Sequence, residues 1–291
     1  ALPIFLSTHD VAGCVVHEDV APDMRTLVAL CQARGIPTIH LPHAPCHLLP
    51  EAGADIHRET RAEWIGASGP RVAEFYRENG HDPAKIELVG GAQWDGLYTP
   101  FIRVERTEAR RVLGLPADGL VVWYGATWVQ TTALRSGFER EVQRGVATVL
   151  ATARELGATV VITLHPNDGQ QADAAYLKAL QDAGVAGLVT RYHLPYVAAA
   201  ADAVIAQGPS NLCIDAAIQG VPACYLRTAG FDFRSELPYR SDGDDLTEVV
   251  RQTIASRGSA AWSEFVAEYN IAHPDGDAAR TIADWIGRLC Q

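Results

Sequence analysis

The stretch Leu120-Val121-Val122-Trp123-Tyr124-Gly125-Ala126-Thr127-Trp128 decides the fold. Its apolar run, Leu120 to Tyr124, lies between Gly119 and Gly125 and shows no polar alternation. A strand buried on both faces reads this way, and such strands belong to parallel sheets covered by helices. The sequence on either side keeps the rhythm. Downstream the pattern predicts a helix over 137–156, a strand from Thr159 to Leu164, a helix over 172–183 and a strand from Gly187 to Thr190. A short helix, a strand from Ala203 to Ala206, a helix from Asn211 to Gln219 and a strand from Pro222 to Leu226 follow.

Upstream, Gly13-Cys14-Val15-Val16 is a strand, Pro22 to Arg34 an amphipathic helix, and Ile36 to Leu41 a second strand. The unit repeats as Ala62 to Ala67, a helix over 70–79, and Lys85 to Val89 closing on Gly90-Gly91. Between about Tyr98 and Gly119 the rhythm gives way to Pro, Thr, Arg and Glu with one short helical piece, Glu105 to Leu113, which marks a linker. The expected class is therefore α/β with two Rossmann-like domains, 1–104 and 105–291, the first with few strands and thus reduced or incomplete. Two last helical segments, Trp262 to Tyr269 and Ala278 to Leu289, follow a Gly-, Asp- and Ser-rich stretch and are expected to pack back across the domain boundary.

The 291 residues are 48% hydrophobic and 20% charged, ordinary values for a packed chain. A formal net charge of −11 disfavours nucleic acid or an acidic membrane as partner, since both draw affinity from clustered Lys and Arg. An anion must then be captured locally, as helix N-termini can do. The cysteines (Cys14, Cys31, Cys46, Cys213, Cys224, Cys290) are scattered, without a C-x-x-C pair, and read as reduced thiols. With no apolar run of about 18 residues the chain reads as cytoplasmic, a peripheral place at the inner membrane face being compatible with this.

In open parallel sheets ligands bind beyond the carboxyl ends of the strands. Polar residues gather there: Gly125-Ala126-Thr127-Trp128, His165-Pro166-Asn167-Asp168 and Gln207-Gly208-Pro209-Ser210-Asn211. The last turn enters a helix whose first amides suit a pyrophosphate, although Ser210 as a simple N-cap explains it too. Asp215 lies about one and a half turns further, within reach of a ribose hydroxyl. His165 can donate to a phosphate oxygen, and the loop carrying Tyr192 and His193 can receive a nucleobase. In the first domain Ile39-His40-Leu41-Pro42-His43-Ala44-Pro45-Cys46-His47 crowds three histidines at a strand exit. Strand alternation and the fixed prolines make a zinc cage hard to build; one of these histidines suits general-base work instead. No metal or other cofactor is expected.

These motifs resemble the CDP-glycerol and CDP-ribitol phosphotransferases of teichoic-acid and capsule synthesis, within the GT-B glycosyltransferase superfamily. The similarity runs through Gly35-Ile36-Pro37-Thr38 to His43, Lys85 to Asp95, Ala126-Thr127-Trp128, His165-Pro166, Ser210 to Asp215, and Asp275-Gly276 with Ala278-Ala279-Arg280. The resemblance implies His43 as general base, His165 and the Ser210-Asn211 amides on the donor phosphates, and Asp215 near the ribose. Thr127, Pro166, Tyr192, His193 and Gly208 complete the implied donor-binding set. Ala44, Asn211 and Gln207-Gly208-Pro209 depart from the family pattern and leave the donor open. The expected activity is transfer of a sugar or polyol phosphate from a nucleotide-activated donor to a hydroxyl of a glycan or lipid-linked acceptor. A nucleotide-sugar 2-epimerase and a non-catalytic nucleotide-sugar-binding module are the alternatives.

Overall fold

The computed structural model describes residues 2–19, 21–42, 60–98, 104–126, 138–165, 170–191, 194–207, 210–227, 239–271 and 277–291. The chain packs as two compact units, Ala1–Thr99 with Val266–Gln291, and Pro100–Phe265. The boundary in the linker falls a few residues before the expected 104/105. The segment 266–291 lies within the expected 105–291 but belongs to the first unit, in keeping with the expectation that the last helices pack back across the boundary.

In the first unit, strands β1 (Cys14–Val16), β2 (Thr38–His40), β3 (Trp64–Ala67) and β4 (Ile86–Leu88) form a parallel sheet in that order. Helix α1 (Leu2–Thr8) precedes it, α2 (Pro22–Gln32) joins β1 to β2, and α3 (Pro70–Glu78) joins β3 to β4. Both connecting helices open on a proline, whose missing N–H and fixed φ suit a first turn. Cys14 and Val16 pack with Val28 and Cys31 of α2, while Ile65, Ala67 and Ile86 pack with Val72, Ala73, Phe75 and Tyr76 of α3. The opposite face is covered from far along the chain: Ile39 and Val89 meet Trp285 of helix α12 (Ala278–Leu289).

Glycines make this docking possible. A Cβ on Gly66 would collide with Leu41 and Trp285, one on Gly69 with the backbone of 268–270, and one on Gly90 with Ala278. Ser68 Oγ donates to Tyr269 O (2.7 Å), Gly91 N–H to Asn270 Oδ1 (2.9 Å), and the N–H groups of Ala278 and Ala279 to the Asp95 carboxylate (3.1 and 2.8 Å). Asp95 and its helix α4 (Asp95–Tyr98) thus cap α12 with an anion at a positive helix end. At the other side of the sheet buried Asp19 accepts from Thr60 Oγ1, Arg61 N and Ala62 N, fixing the approach to β3.

The second unit holds α5 (Arg106–Val112), β5 (Val121–Gly125), α6 (Phe138–Leu156), β6 (Thr159–Thr163), α7 (Gln170–Ala183), β7 (Gly187–Thr190) and α8 (Leu194–Ala200). It continues with β8 (Ala203–Gln207), α9 (Leu212–Ile218), β9 (Ala223–Leu226), β10 (Arg240–Ser241) and α10 (Leu246–Ala255). Helix α11 (Ala260–Tyr269) carries the change of unit, after Phe265. Helix α10 lies between Leu226 and Trp262, where the sequence pattern predicts no helix. The strands are parallel in the order β10-β9-β8-β5-β6-β7. Residues 121–124 of β5 and all five of β8 are buried, as helices on both faces demand. Each fully buried Val or Ile there contributes about 1.5–3 kcal/mol.

At the amino edge of this sheet Asp202 accepts from Val121 N (2.9 Å) and pairs with Arg106 (2.6 Å), Arg110 (3.1 Å) and Arg257 (3.7 Å). Arg110 is 1% exposed and also donates to the carbonyls of Ala200, Ala117 and Gly119. Burial, then the neighbouring Arg106, pulls its pKa down, and Asp202 opposes both.

Candidate functional site

Strand order locates the site. From β5 the chain moves outward to β6 and β7, then returns to the other side of β5 as β8, β9 and β10. The reversal falls between β5 and β8, and doubly wound sheets bind ligands in a crevice at the carboxyl ends of such a pair. Gly125 pairs with Ala206 on one side and with Thr163 on the other, so the three tips end at one level. Gly125 and Ala126 leave β5, Gln207 ends β8 and leads to Ser210, and Leu164-His165 leaves β6.

Ser210 Oγ accepts the N–H of Leu212 (3.1 Å), so the hydroxyl caps the entry to α9, the simpler of its two expected roles. A Cβ on Gly125 would overlap Leu212 Cδ2; the glycine lets α9 start close over the tip of β5. Asp215 is half-buried in α9, among the buried Cys213, Ile214, Ala216 and Ala217. Asn211 O accepts the N–H of Asp215 at 2.9 Å. His165 follows β6, half-buried, on the same rim. His43, Thr127, Pro166, Tyr192, His193 and Gly208 lie outside the described residues. His40 of the three-histidine stretch is 1% exposed, with Nε2 3.0 Å from Tyr76 Oη, and serves the core. Among the described residues no group of three His, Cys, Asp or Glu side chains is placed to hold a metal ion.

Behind the crevice lies a network that residue-type reasoning missed. Tyr124 Oη donates to Gln207 Oε1 (2.5 Å), and Gln207 Nε2 donates to Glu141 O in the first turn of α6 (3.1 Å). Gln207 is 3% exposed and Tyr124 fully buried. Burial, then Tyr176, pushes the Tyr124 phenol well above its ordinary pKa, which keeps it a donor. Facing them, Gly145 lies inside the 19-residue α6, where glycine costs about 1 kcal/mol relative to alanine. A Cβ at 145 would overlap all three terminal atoms of the Gln207 carboxamide. The glycine therefore opens the slot through which Gln207 reaches the Glu141 carbonyl. The available signal was a lone glycine in a strongly amphipathic helix, together with a polar residue closing an apolar strand.

On the opposite face of the sheet Trp123 Nε1 donates to Thr163 Oγ1 (2.8 Å). Thr163 stands level with Gly125 at the tips, and Trp123 two residues earlier on the neighbouring strand.

Two parallel sheets of four and six strands with helices around them make the chain a GT-B-type α/β protein in fold. No family model and no curated protein matches its sequence. Among solved structures it is similar to the UDP-GlcNAc 2-epimerase from Neisseria meningitidis bound to UDP-GlcNAc: TM-score 0.67, 16% identity, 99% of this chain and 79% of that one. Anabaena Alr3699/HepE in complex with UDP-glucose is similar at TM-score 0.56 and 14% identity, over 91% of this chain and 77% of that one. The wall teichoic acid polymerase TagF is similar at TM-score 0.53 and 16% identity, over 88% and 68%. Identities this low establish the shared fold. Among the described residues no helix is long and apolar enough to cross a membrane.

Proposed function

We propose that the chain is a transferase that binds a nucleotide-activated sugar or polyol donor in its second unit and passes the activated group to an acceptor hydroxyl. The observation that carries the reading is the reversal of strand order at β5 and β8, with Gln207 and Ser210 at the end of β8 and His165 at the end of β6. The donor phosphates lie against the Ser210-Asn211 amides and His165, with Asp215 toward the ribose. Thr127, Pro166 and Gly208 border the phosphates, and Tyr192 and His193 the base. His43 takes the acceptor proton, and charge on the leaving phosphate is met by His165 and backbone amides, so the reading calls for no resident metal. The fold relatives crystallised with UDP-glucose and with UDP-GlcNAc support a nucleotide sugar as donor, and TagF supports a polyol phosphate. Capsule or teichoic-acid glycans, or lipid-linked precursors at a membrane surface, are the corresponding acceptors.

The test is calorimetric titration of the chain with UDP, CDP and GDP, followed by Asp215→Asn and His165→Ala variants titrated with the tightest. Binding of one nucleotide, weakened at least tenfold by each substitution, is expected. Absence of binding to every nucleotide, or variants that bind like the parent, removes the reading.

Epimerisation at the sugar C2 is the second reading. It draws on the higher TM-score to the epimerase than to HepE or TagF. Incubating the chain with UDP-GlcNAc in the absence of acceptor separates the two readings, because an epimerase changes the sugar and a transferase leaves it intact.

A further inference from the structure

The Gln207 network joins three elements that border the crevice: β5 through Tyr124, β8 through Gln207 itself, and the first turn of α6 through the Glu141 carbonyl. These partners are distant in sequence, and the carboxamide joins them. Its orientation is set on both sides. The Tyr124 hydroxyl requires an acceptor at Oε1, the Glu141 carbonyl requires a donor at Nε2, and the missing Cβ of Gly145 leaves the room that the planar group occupies. An apolar residue could fill the same space; it could not hold two strands and a helix in one register. Three residues beyond Gln207 stands Ser210, where the Leu212 amide is capped.

We propose that Gln207 is a positioning residue of the nucleotide site: its carboxamide holds the start of α6 and the chain leaving β8 at the spacing that a diphosphate needs between the two tips. This rests on the donor-binding reading above. Gln207 acts from behind the crevice and touches no ligand, so its influence is on affinity through geometry.

The decisive variant is Gln207→Glu, which keeps size and shape. An ionised carboxylate accepts from Tyr124 but offers no proton to the Glu141 carbonyl, and the two oxygens repel. A protonated carboxyl restores the donor, and burial raises the pH at which protonation occurs. UDP and CDP are titrated into parent and variant at several pH values between 5.5 and 8, well below the melting temperature, and the ratio of the two affinities is taken at each. At pH 8 the variant is expected to bind at least tenfold more weakly, and the ratio to return toward one as pH falls. Taking the ratio cancels titration of the nucleotide itself. A ratio near one at every pH, or a constant deficit, overturns the proposal, since a role in stability alone would lower the melting temperature without a pH-dependent affinity ratio. Should Gln207→Glu fail to fold, Tyr124→Phe removes one hydroxyl from the same network; a two- to fivefold loss of affinity is expected, and unchanged affinity overturns the proposal. A parent chain that binds neither nucleotide sinks the donor reading together with this one. Tight parental binding with indifferent variants sinks only the role of Gln207.

Discussion

The two sheets of this protein are built from the same strand–helix–strand unit and differ in one respect. The first adds its strands in a single direction, β1 to β4, whereas the second grows one way from β5 and then the other. Right-handed crossovers advancing in one direction deliver every connecting helix to the same face. The first sheet therefore has α2 and α3 on one face and takes its other cover, α12, from the end of the chain. The second covers both faces with its own crossovers and gains a crevice where the direction changes. Direction of growth thus decides whether a sheet closes by borrowing a helix or offers a ligand site by itself.

The largest expected effect probes the second sheet at the edge away from its crevice. Asp202→Ala leaves Arg110 buried beside two further guanidinium groups and is expected to cost about 3–5 kcal/mol in urea unfolding. Nucleotide affinity measured below the transition should stay unchanged; a fall in affinity would show that the two edges of the sheet are not independent.

An effect common to both sheets comes from thiols. Burial pushes Cys224, and burial with the neighbouring Cys31 pushes Cys14, up to about 12 in the folded chain. Stability held by such a thiol is complete below its unfolded value near 9 and is lost as pH rises toward 12. The slope is about 1.4 kcal/mol per pH unit for each thiol. Cys224→Ala should flatten the stability curve between pH 9 and 11 relative to the parent; identical slopes would contradict this origin.

The borrowed helix of the first sheet is tested by Asp95→Ala, which strips the N-terminus of α12 of its anionic cap. A loss of about 0.5–2 kcal/mol is expected, read as faster amide hydrogen exchange in α12. Exchange equal to that of the parent would mean that Trp285 and its neighbours hold the helix alone.

The smallest effect is at the crevice. Ser210→Ala should cost about 1 kcal/mol with nucleotide affinity intact, because the hydroxyl already serves the Leu212 amide. A tenfold weaker affinity would instead place that hydroxyl on the phosphates.

Element types were largely legible in the sequence because they rest on local periodicity: the runs at Val121, Thr159 and Ala203 and the helices between them stand where the pattern puts them. Helix α10 was overlooked although Leu246, Val249, Val250 and Thr253 repeat at helical spacing and are buried; the Gly and Asp residues ahead of it masked the signal. The order of strands is a long-range property that alternation does not encode, so the rim was foreseen but its reversal point was not. Among the site residues, the tip at Ser210 was visible as turn chemistry. The pairings of Gln207 with Tyr124 and Glu141, and of Asp95 with α12, join residues 66 to 184 apart in the chain, and no local pattern announces them.

The first unit is interrupted in sequence, and this has a consequence for biosynthesis. Its residues 1–99 cannot finish packing until 266–291 exist, and at about 5–20 residues per second the ribosome takes roughly 8–33 s to supply the stretch between. The second unit is contiguous and has its whole sequence before 266–291 are made. On the ribosome this protein matures from its middle outward, and the apolar face awaiting Trp285 is what a chaperone would meet on the nascent chain.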